Sequence, residues 1–490
     1  MMNKKLLSML LCGIMLVGII AGCVDGDSDE IDTDFTVEED TGWVSVELPY
    51  KEDYVGKEVH ILCNNAVDMG PDEKSSDPLE DAVYRRNDKI ESQYGVILNN
   101  LVETDYLELG EKVKTDVTAG TGDYHIVYQQ MVNTATNLAM GNCLYNLTDL
   151  NYVDFDQPWW DQDCKNGFMF GDKMMMVCGD LMPSSMLVTA AIIFNKNLFD
   201  DQGIAYPYED ARQGTWTIDD MLEITEDQTR DLNGDGKIVC TDDFCGLTGW
   251  ALESDYNFYF GSGCTMFRYD ENHLPVYDAD TDRLQTIYDK IYQLIITQES
   301  FHPVYEDVER LSVNADPNYV FKQGRALFFS AYLSTCTFIR DMKDDYGIVP
   351  QPKYDENQEE YLSFVNGAAS VACVPKSLND ADLELSGYML EMLSSSSYYM
   401  VTDTLYDKIA KSKTARDPES AEMVDVIIRH RVFDFGYTHF HEQRLPCASI
   451  VLTALLSNSP SIVKEISKSQ KATKKALREV YEAYGYEYNQ

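Results

Sequence analysis

Basic side chains are scarce in this chain. Lys and Arg number 39 against 83 Asp and Glu, with only 7 His, for a formal charge of −44. That balance argues against binding nucleic acid or an anionic membrane surface through bulk electrostatics. Catalytic and nucleotide signatures are missing too: no HExxH, GxSxG, Walker or dinucleotide glycine pattern occurs. Carboxylates are so abundant that pairs of them say nothing about glycoside hydrolysis. A dense cysteine framework is missing as well. Twelve are scattered over 490 residues, which does not read as a small disulfide scaffold. Cys240 and Cys245 are the closest pair and the candidate bridge. His439 and His441, with Glu442 and His430 nearby, are read as two histidines on one face of a strand. No further ligand spacing completes a metal site there, so they are read as packed or surface side chains.

What is present begins with a leader. Lys4 and Lys5 precede an apolar core over residues 6–20, and Ile20-Ala21-Gly22-Cys23 closes it with small residues and a cysteine. The apolar stretch is about 15 residues, short of the roughly 20 that span a bilayer. Residues 24–42 are dense in Asp and Glu and poor in apolar side chains, a composition that self-repels into an extended tether. The tether is taken as residues 24–54.

Beyond it, short apolar runs alternate with helical patterns. Strands are predicted over 59–62, 96–98 and 125–128, with helices over 79–94 and 106–119 stopped by Gly95 and by Gly120-Thr121-Gly122. Alternation of this kind predicts a parallel sheet whose ligands bind beyond the carboxyl ends of the strands. Residues 174–177 read as a further apolar strand, and Met174-Met175-Met176 as core rather than a thioether metal site.

The chain is organised around residues 179–250. A buried strand is predicted over 187–194, then a short helical turn stopped by Gly203. Thr217 and Asp220 have the spacing of an N-cap with an acid at the third helical position. An acidic loop and a strand over 244–250 follow. Ile193-Phe194-Asn195-Lys196, Leu198-Phe199, Gly203-Ile204 and Gly214-Thr215-Trp216-Thr217 together resemble a segment of the extracellular solute-binding proteins of ABC importers, the maltose-binding-protein-like group. Residues 320–330, the proline-bearing stretch 346–354 and residues 416–427 also resemble segments of that family, and Ile20-Ala21-Gly22-Cys23 resembles a bacterial lipobox. The resemblance runs over nearly all of residues 55–490.

It implies an α/β, two-lobed periplasmic-binding-protein-like fold of type II with hinge crossovers. Residues 1–23 would be a lipoprotein signal. Lobe 1 would take 55–175 plus about 366–410, and lobe 2 would take 176–365 plus about 411–490. It implies a lipid-anchored monomer, acylated at Cys23, on the outer face of the cell membrane. That protein would capture an oligosaccharide and deliver it to permease subunits of an ABC importer, without catalysis. The alternatives are a secreted glycan-active enzyme and a glycan-binding or sensory surface lipoprotein without a transport role.

Side chains at strand ends and crossovers are the candidate ligand contacts: Asn65, Tyr128, Gln129, Gln130, Asp180, Trp250, Tyr256, Tyr332 and Asn366. Tyrosine suits a sugar because its ring stacks on an apolar face while its hydroxyl keeps a polar partner. Trp216 is read as a packing anchor. Residues 231–242 place oxygen donors at loop positions 1, 3 and 5, Gly at 6, a backbone carbonyl at 7 and an acid at 12, a pattern that suits Ca²⁺ in a structural role. The ligands would be Asp231, Asn233, Asp235 and Asp242 with the Lys237 carbonyl, and the helix from Ile218 would enter the loop as in an EF-hand. Asp242 departs from the usual Glu, and a strand leaves the loop.

Overall fold

The first predicted strand and its two successors form β1 (Glu58–Cys63), β2 (Ile97–Val102) and β3 (Ile126–Gln130). Helices Pro78–Tyr94 and Tyr106–Ala119 connect them, and their ends have local causes. Asp77 accepts the N–H groups of Leu79 and Glu80 with Pro78 at the first helical position, and Asp105 does the same for Leu107 and Glu108. Gly95 and Gly120 end the two helices at φ 71° and 65°, a conformation that favours glycine.

The computed structural model describes residues 48–49, 51–236, 238, 242–297, 301–304, 316–410, 418–441, 445–457 and 459–489. Cys23 with its leader, most of the tether, Lys237, Cys240 and Glu442 lie outside the described residues. The chain separates into Met1–Trp43 and Val44–Gln490, and the fold belongs to the second unit.

Two sheets organise that unit. In the first, β1 pairs in parallel with β2 and β3, and a late strand, β12 (Ser370–Cys373), lies antiparallel on β3. The second holds β4 (Ala190–Asn195), β5 (Cys245–Trp250), β8 (Phe301–Val304), β9 (Ala326–Tyr332) and β10 (Tyr346–Val349), in the order β10-β4-β9-β5-β8. β5 runs parallel to β8 and β9, β4 runs against β9, and β10, antiparallel to β4, returns to the common direction. β10 is one of the two edge strands, with Pro350 and Pro352 just beyond it, where no ladder needs their missing N–H. A hairpin, β6 (Phe267–Tyr269) with β7 (Pro275–Tyr277), and a parallel pair, β11 (Ser363–Phe364) with β13 (Arg431–Val432), complete the strands.

The chain leaves the first sheet after β3 and returns to it at β12. The outgoing and returning segments run antiparallel to each other, bridged at Val177 with Ala372 and at Thr189 with Val365. The later helices serve both sheets: Asp380–Met400 packs on Pro78–Tyr94, and Pro418–Arg429 packs on β10. Glu391 ties the outgoing segment to the first of these by accepting the indole N–H of Trp159 (3.2 Å) and Trp160 (3.0 Å).

Four local expectations are corrected. The strand predicted from residue 187 begins at Ala190, because Pro183 opens a helical turn, Pro183–Leu187, and β9 stops at Tyr332 opposite Ala190. Residues 174–177 are buried in the core, yet make only the single bridge at Val177. Tyr256 lies inside helix Ala251–Gly261 rather than at a strand end. His439 sits on helix Phe435–Phe440, not on a strand, so the spacing of two carries no shared face. Trp216 is fully buried as the anchor expected, donating Nε1 to Pro350 O at 3.1 Å.

Candidate functional site at the carboxyl ends of the two sheets

Parallel strands direct attention to their carboxyl ends. In the first sheet these are Cys63-Asn64-Asn65 and Tyr128-Gln129-Gln130. Asn65 is half-buried and caps helix Ala66–Met69, its Oδ1 accepting from the Val67 N–H at 3.2 Å. Tyr128 is fully buried, its hydroxyl has no protein partner, and burial pushes the phenol upward. Gln129, on the other face of β3, donates to Cys373 Sγ at 3.6 Å and leaves Oε1 unpartnered. Gln130 is buried opposite Ser370 of β12.

In the second sheet, β5 ends at Trp250, which is half-buried at the start of helix Ala251–Gly261. β9 ends at Tyr332, whose hydroxyl accepts from Asn366 Nδ2 at 2.9 Å. Asn366 Oδ1 in turn accepts from the Ala368 N–H, and its own N–H donates to Val188 O. The next residue completes a junction. Gly367 donates to the Tyr437 hydroxyl at 3.1 Å and accepts the Val132 N–H, just past the end of β3. A side chain at Gly367 would come within 2.7 Å of Val132 Cγ2, so the close approach requires glycine. Tyr256 joins through aromatic contact, its ring 5.1 Å from Tyr437 and 5.7 Å from Phe364.

Tyr332, Asn366 and Tyr256 are therefore gathered around the return segment, and Tyr128, Gln129 and Gln130 approach it along β3. Asn65 and Trp250 stand at the ends of neighbouring strands. Asp180 is apart. It lies on the outgoing segment, beside Arg431, Asp161 and Thr402, and burial pushes its carboxyl up to about 8 despite the Arg431 guanidinium.

Several polar groups at these ends were invisible in the sequence. Asp68 is fully buried and accepts both the backbone N–H (2.9 Å) and the hydroxyl (2.6 Å) of Ser184, whose oxygen lies 3.0 Å from that of Ser370. It thus joins the end of β1 to both crossing segments, and burial pushes it up to about 6. One acid among 83 carries no marker for such a role. In the second sheet, Asn257 donates to Ser330 Oγ at 3.2 Å, while Asn257 Oδ1, Ser254 Oγ and both side-chain polar atoms of Gln351 are buried without a protein partner. The Asn257, Ser254 and Gln351 groups are uncharged, whereas Asp68 is a carboxyl, and the buried Asp255 stands between Ser254 and Asn257 in the chain. A buried set of free donors and acceptors suits a ligand rich in hydroxyl groups. A cavity of about 430 Å³, lined by Glu108, Lys112, Thr115, Asp123 and Tyr124, runs instead along helix Tyr106–Ala119.

The acidic loop has its own geometry. Asp231 accepts the N–H groups of Gly234 (2.6 Å) and Gly236 (2.8 Å), and Asn233 Oδ1 accepts that of Asp235 (2.8 Å). Helix Ile218–Thr225 stops six residues before Asp231, and a bridge between Arg230 and Phe244 intervenes. The EF-hand entry expected for that helix is thereby corrected, although its Thr217–Asp220 capping box is present. Among the described residues no group of three or more His, Cys, Asp or Glu is placed to hold a metal ion. His439 is buried against Phe435, and burial lowers its pKa to about 4, leaving it neutral.

Two sheets with their carboxyl ends meeting at a pair of crossing segments define a two-lobed α/β binding fold. The chain belongs to the bacterial extracellular solute-binding protein family, whose model matches residues 87–404. No curated protein sequence matches it. Solved structures share the fold. An ABC substrate-binding protein from Listeria monocytogenes in complex with cycloalternan superposes with a TM-score of 0.53 at 13% identity, over 88% of this chain and 100% of that one. The maltose/maltodextrin-binding domain MalE from Bdellovibrio bacteriovorus, bound to maltotriose, gives 0.52 at 16%, over 86% and 100%. UgpB from Mycobacterium tuberculosis in complex with glycerophosphocholine gives 0.53 at 13%, over 86% and 99%. Among the described residues no helix is long and apolar enough to cross a membrane.

Proposed function

We propose that this chain is a lipid-anchored receptor that closes two lobes on an oligosaccharide and delivers it to an ABC importer. The observation that carries the reading is the junction at Asn366-Gly367. One short segment bonds to Tyr332 at the end of β9, to Tyr437, and to Val132 beyond β3. A ligand held there touches both sheets and the segments that join them, the arrangement hinge closure requires. The unpartnered polar atoms of Asn257, Ser254 and Gln351 and the tyrosines support a sugar, and sugar complexes among the structures of like fold support it further. In this reading residues 55–175 with 366–410 move as one lobe, and 176–365 with 411–490 as the other.

Anchoring follows from Cys23. Cells fed labelled palmitate should incorporate it into the wild-type chain and not into Cys23→Ser; equal labelling of both would refute the anchor. The acidic loop is proposed to hold Ca²⁺ through Asp231, Asn233, Asp235, Asp242 and the Lys237 carbonyl, in a structural role. The function itself is tested by calorimetric titration with linear and cyclic glucans, polyols and glycerophosphodiesters, alongside an assay for reducing ends released from polysaccharides. Binding of an oligosaccharide without cleavage is expected; release of reducing ends would replace the receptor with an enzyme.

A further inference from the structure

Nine cysteines among the described residues are thiols, and eight of them are buried. Two stand together. The backbone N–H of Cys178 donates to Cys164 Sγ at 2.9 Å, and the two side chains are within hydrogen-bonding reach of each other. Ser185 donates to Cys178 Sγ at 3.3 Å, and that thiol donates to Ser370 O at 3.4 Å. The neighbouring backbone is in register as well: Trp160 and Gly179 form an antiparallel bridge, and the Asp161 N–H donates to Cys178 O. Cys164 lies on helix Gln162–Phe168 and Cys178 on the outgoing crossing segment. An extracellular chain meets an oxidising environment, where neighbouring thiols persist as a disulfide.

We infer that Cys164 and Cys178 are a disulfide-forming pair that fastens the outgoing crossing segment to helix Gln162–Phe168. The oxidant is a low-molecular-weight disulfide. One cysteine loses its proton to solvent and attacks a sulfur of the reagent, expelling one reagent thiolate and leaving a mixed disulfide. The second cysteine, also deprotonated, attacks the protein sulfur of that bond and expels the other thiolate. The protein gives up two protons and two electrons, and the reagent is reduced to two thiols. Both sulfurs are fully buried, so exchange belongs to folding or to local opening, and the folded dithiol reacts slowly. The closed loop is short, and its closure stabilises mainly by restricting the unfolded chain.

The test is to refold the reduced mature chain with oxidised and reduced glutathione, then digest it with trypsin without reduction. Cleavage after Lys165 and Lys173 separates the two cysteines. Tandem mass spectrometry should find them joined, at two mass units below the sum of the free peptides. Reductant should lower the melting temperature of the oxidised protein by a few degrees and leave Cys164→Ser unchanged. Both cysteines alkylated as free thiols after oxidative refolding, or Cys178 joined to another cysteine, would overturn the inference. The peptide analysis uses the wild-type chain, so it decides the matter even if the variant does not fold.

Discussion

Asp68, Asp180 and Glu391 are buried carboxyls held above their ordinary range, at about 6, about 8 and about 7, each chiefly by burial. An acid whose folded pKa is raised stabilises the fold below its ordinary value, about 4, and loses that contribution as pH climbs through the folded value. These three therefore weaken the fold between about pH 4 and pH 8. Asp180→Asn removes the cost without disturbing the Arg431–Asp161 pair (Nε–Oδ2 2.7 Å). Its melting temperature should match the wild type near pH 4 and exceed it by about 1–3 °C near pH 8. Parallel curves across that range would show that Asp180 titrates normally. None of this was readable beforehand, because composition does not say which acids are buried. The places of Tyr332 at a strand end and Asn366 in the crossover were readable, and the hydrogen bond between them was not.

At the scale of elements, local signals worked where a cap and an apolar run coincided. Helix Tyr106–Ala119 was predicted with both bounds, and Asp105 and Gly120 supply its ends. Signals failed where pairing decided the outcome. Residues 187–189 are as apolar as a strand, but the partner strand ends before reaching them. Tyr256 follows β5 in an aromatic run with no turn residue to mark it, and helix Ala251–Gly261 absorbs it. The acidic loop is the element whose role stays proposed. If it binds Ca²⁺ with a dissociation constant of order 10⁻⁴–10⁻³ M, millimolar Ca²⁺ should raise the melting temperature and EDTA lower it. Asp235→Ala should abolish the difference. Identical melting curves with cation and chelator would reduce the loop to a turn whose Asp231 and Asn233 serve only their neighbours' N–H groups.

At the scale of the molecule, the return of the chain to its first sheet governs how it can be cut. A 55–362 fragment lacks β12, which pairs with β3, and lacks helix Asp380–Met400, which covers Pro78–Tyr94. Such a fragment should aggregate or melt without cooperativity; a sharp, reversible transition would contradict the interleaved fold. That topology was legible only through resemblance, since no local pattern reveals that residue 370 returns to a sheet left at residue 130. Calorimetric titration of the mature chain with uncharged oligosaccharides tests the central claim most directly, with Asn366→Ala as its control. Saturable one-to-one binding of at least one glucan is the predicted result, weakened about tenfold in the variant, as expected for losing about 1.4 kcal/mol of contact. A folded protein that binds none of them, or a variant that binds as tightly as the wild type, would contradict it.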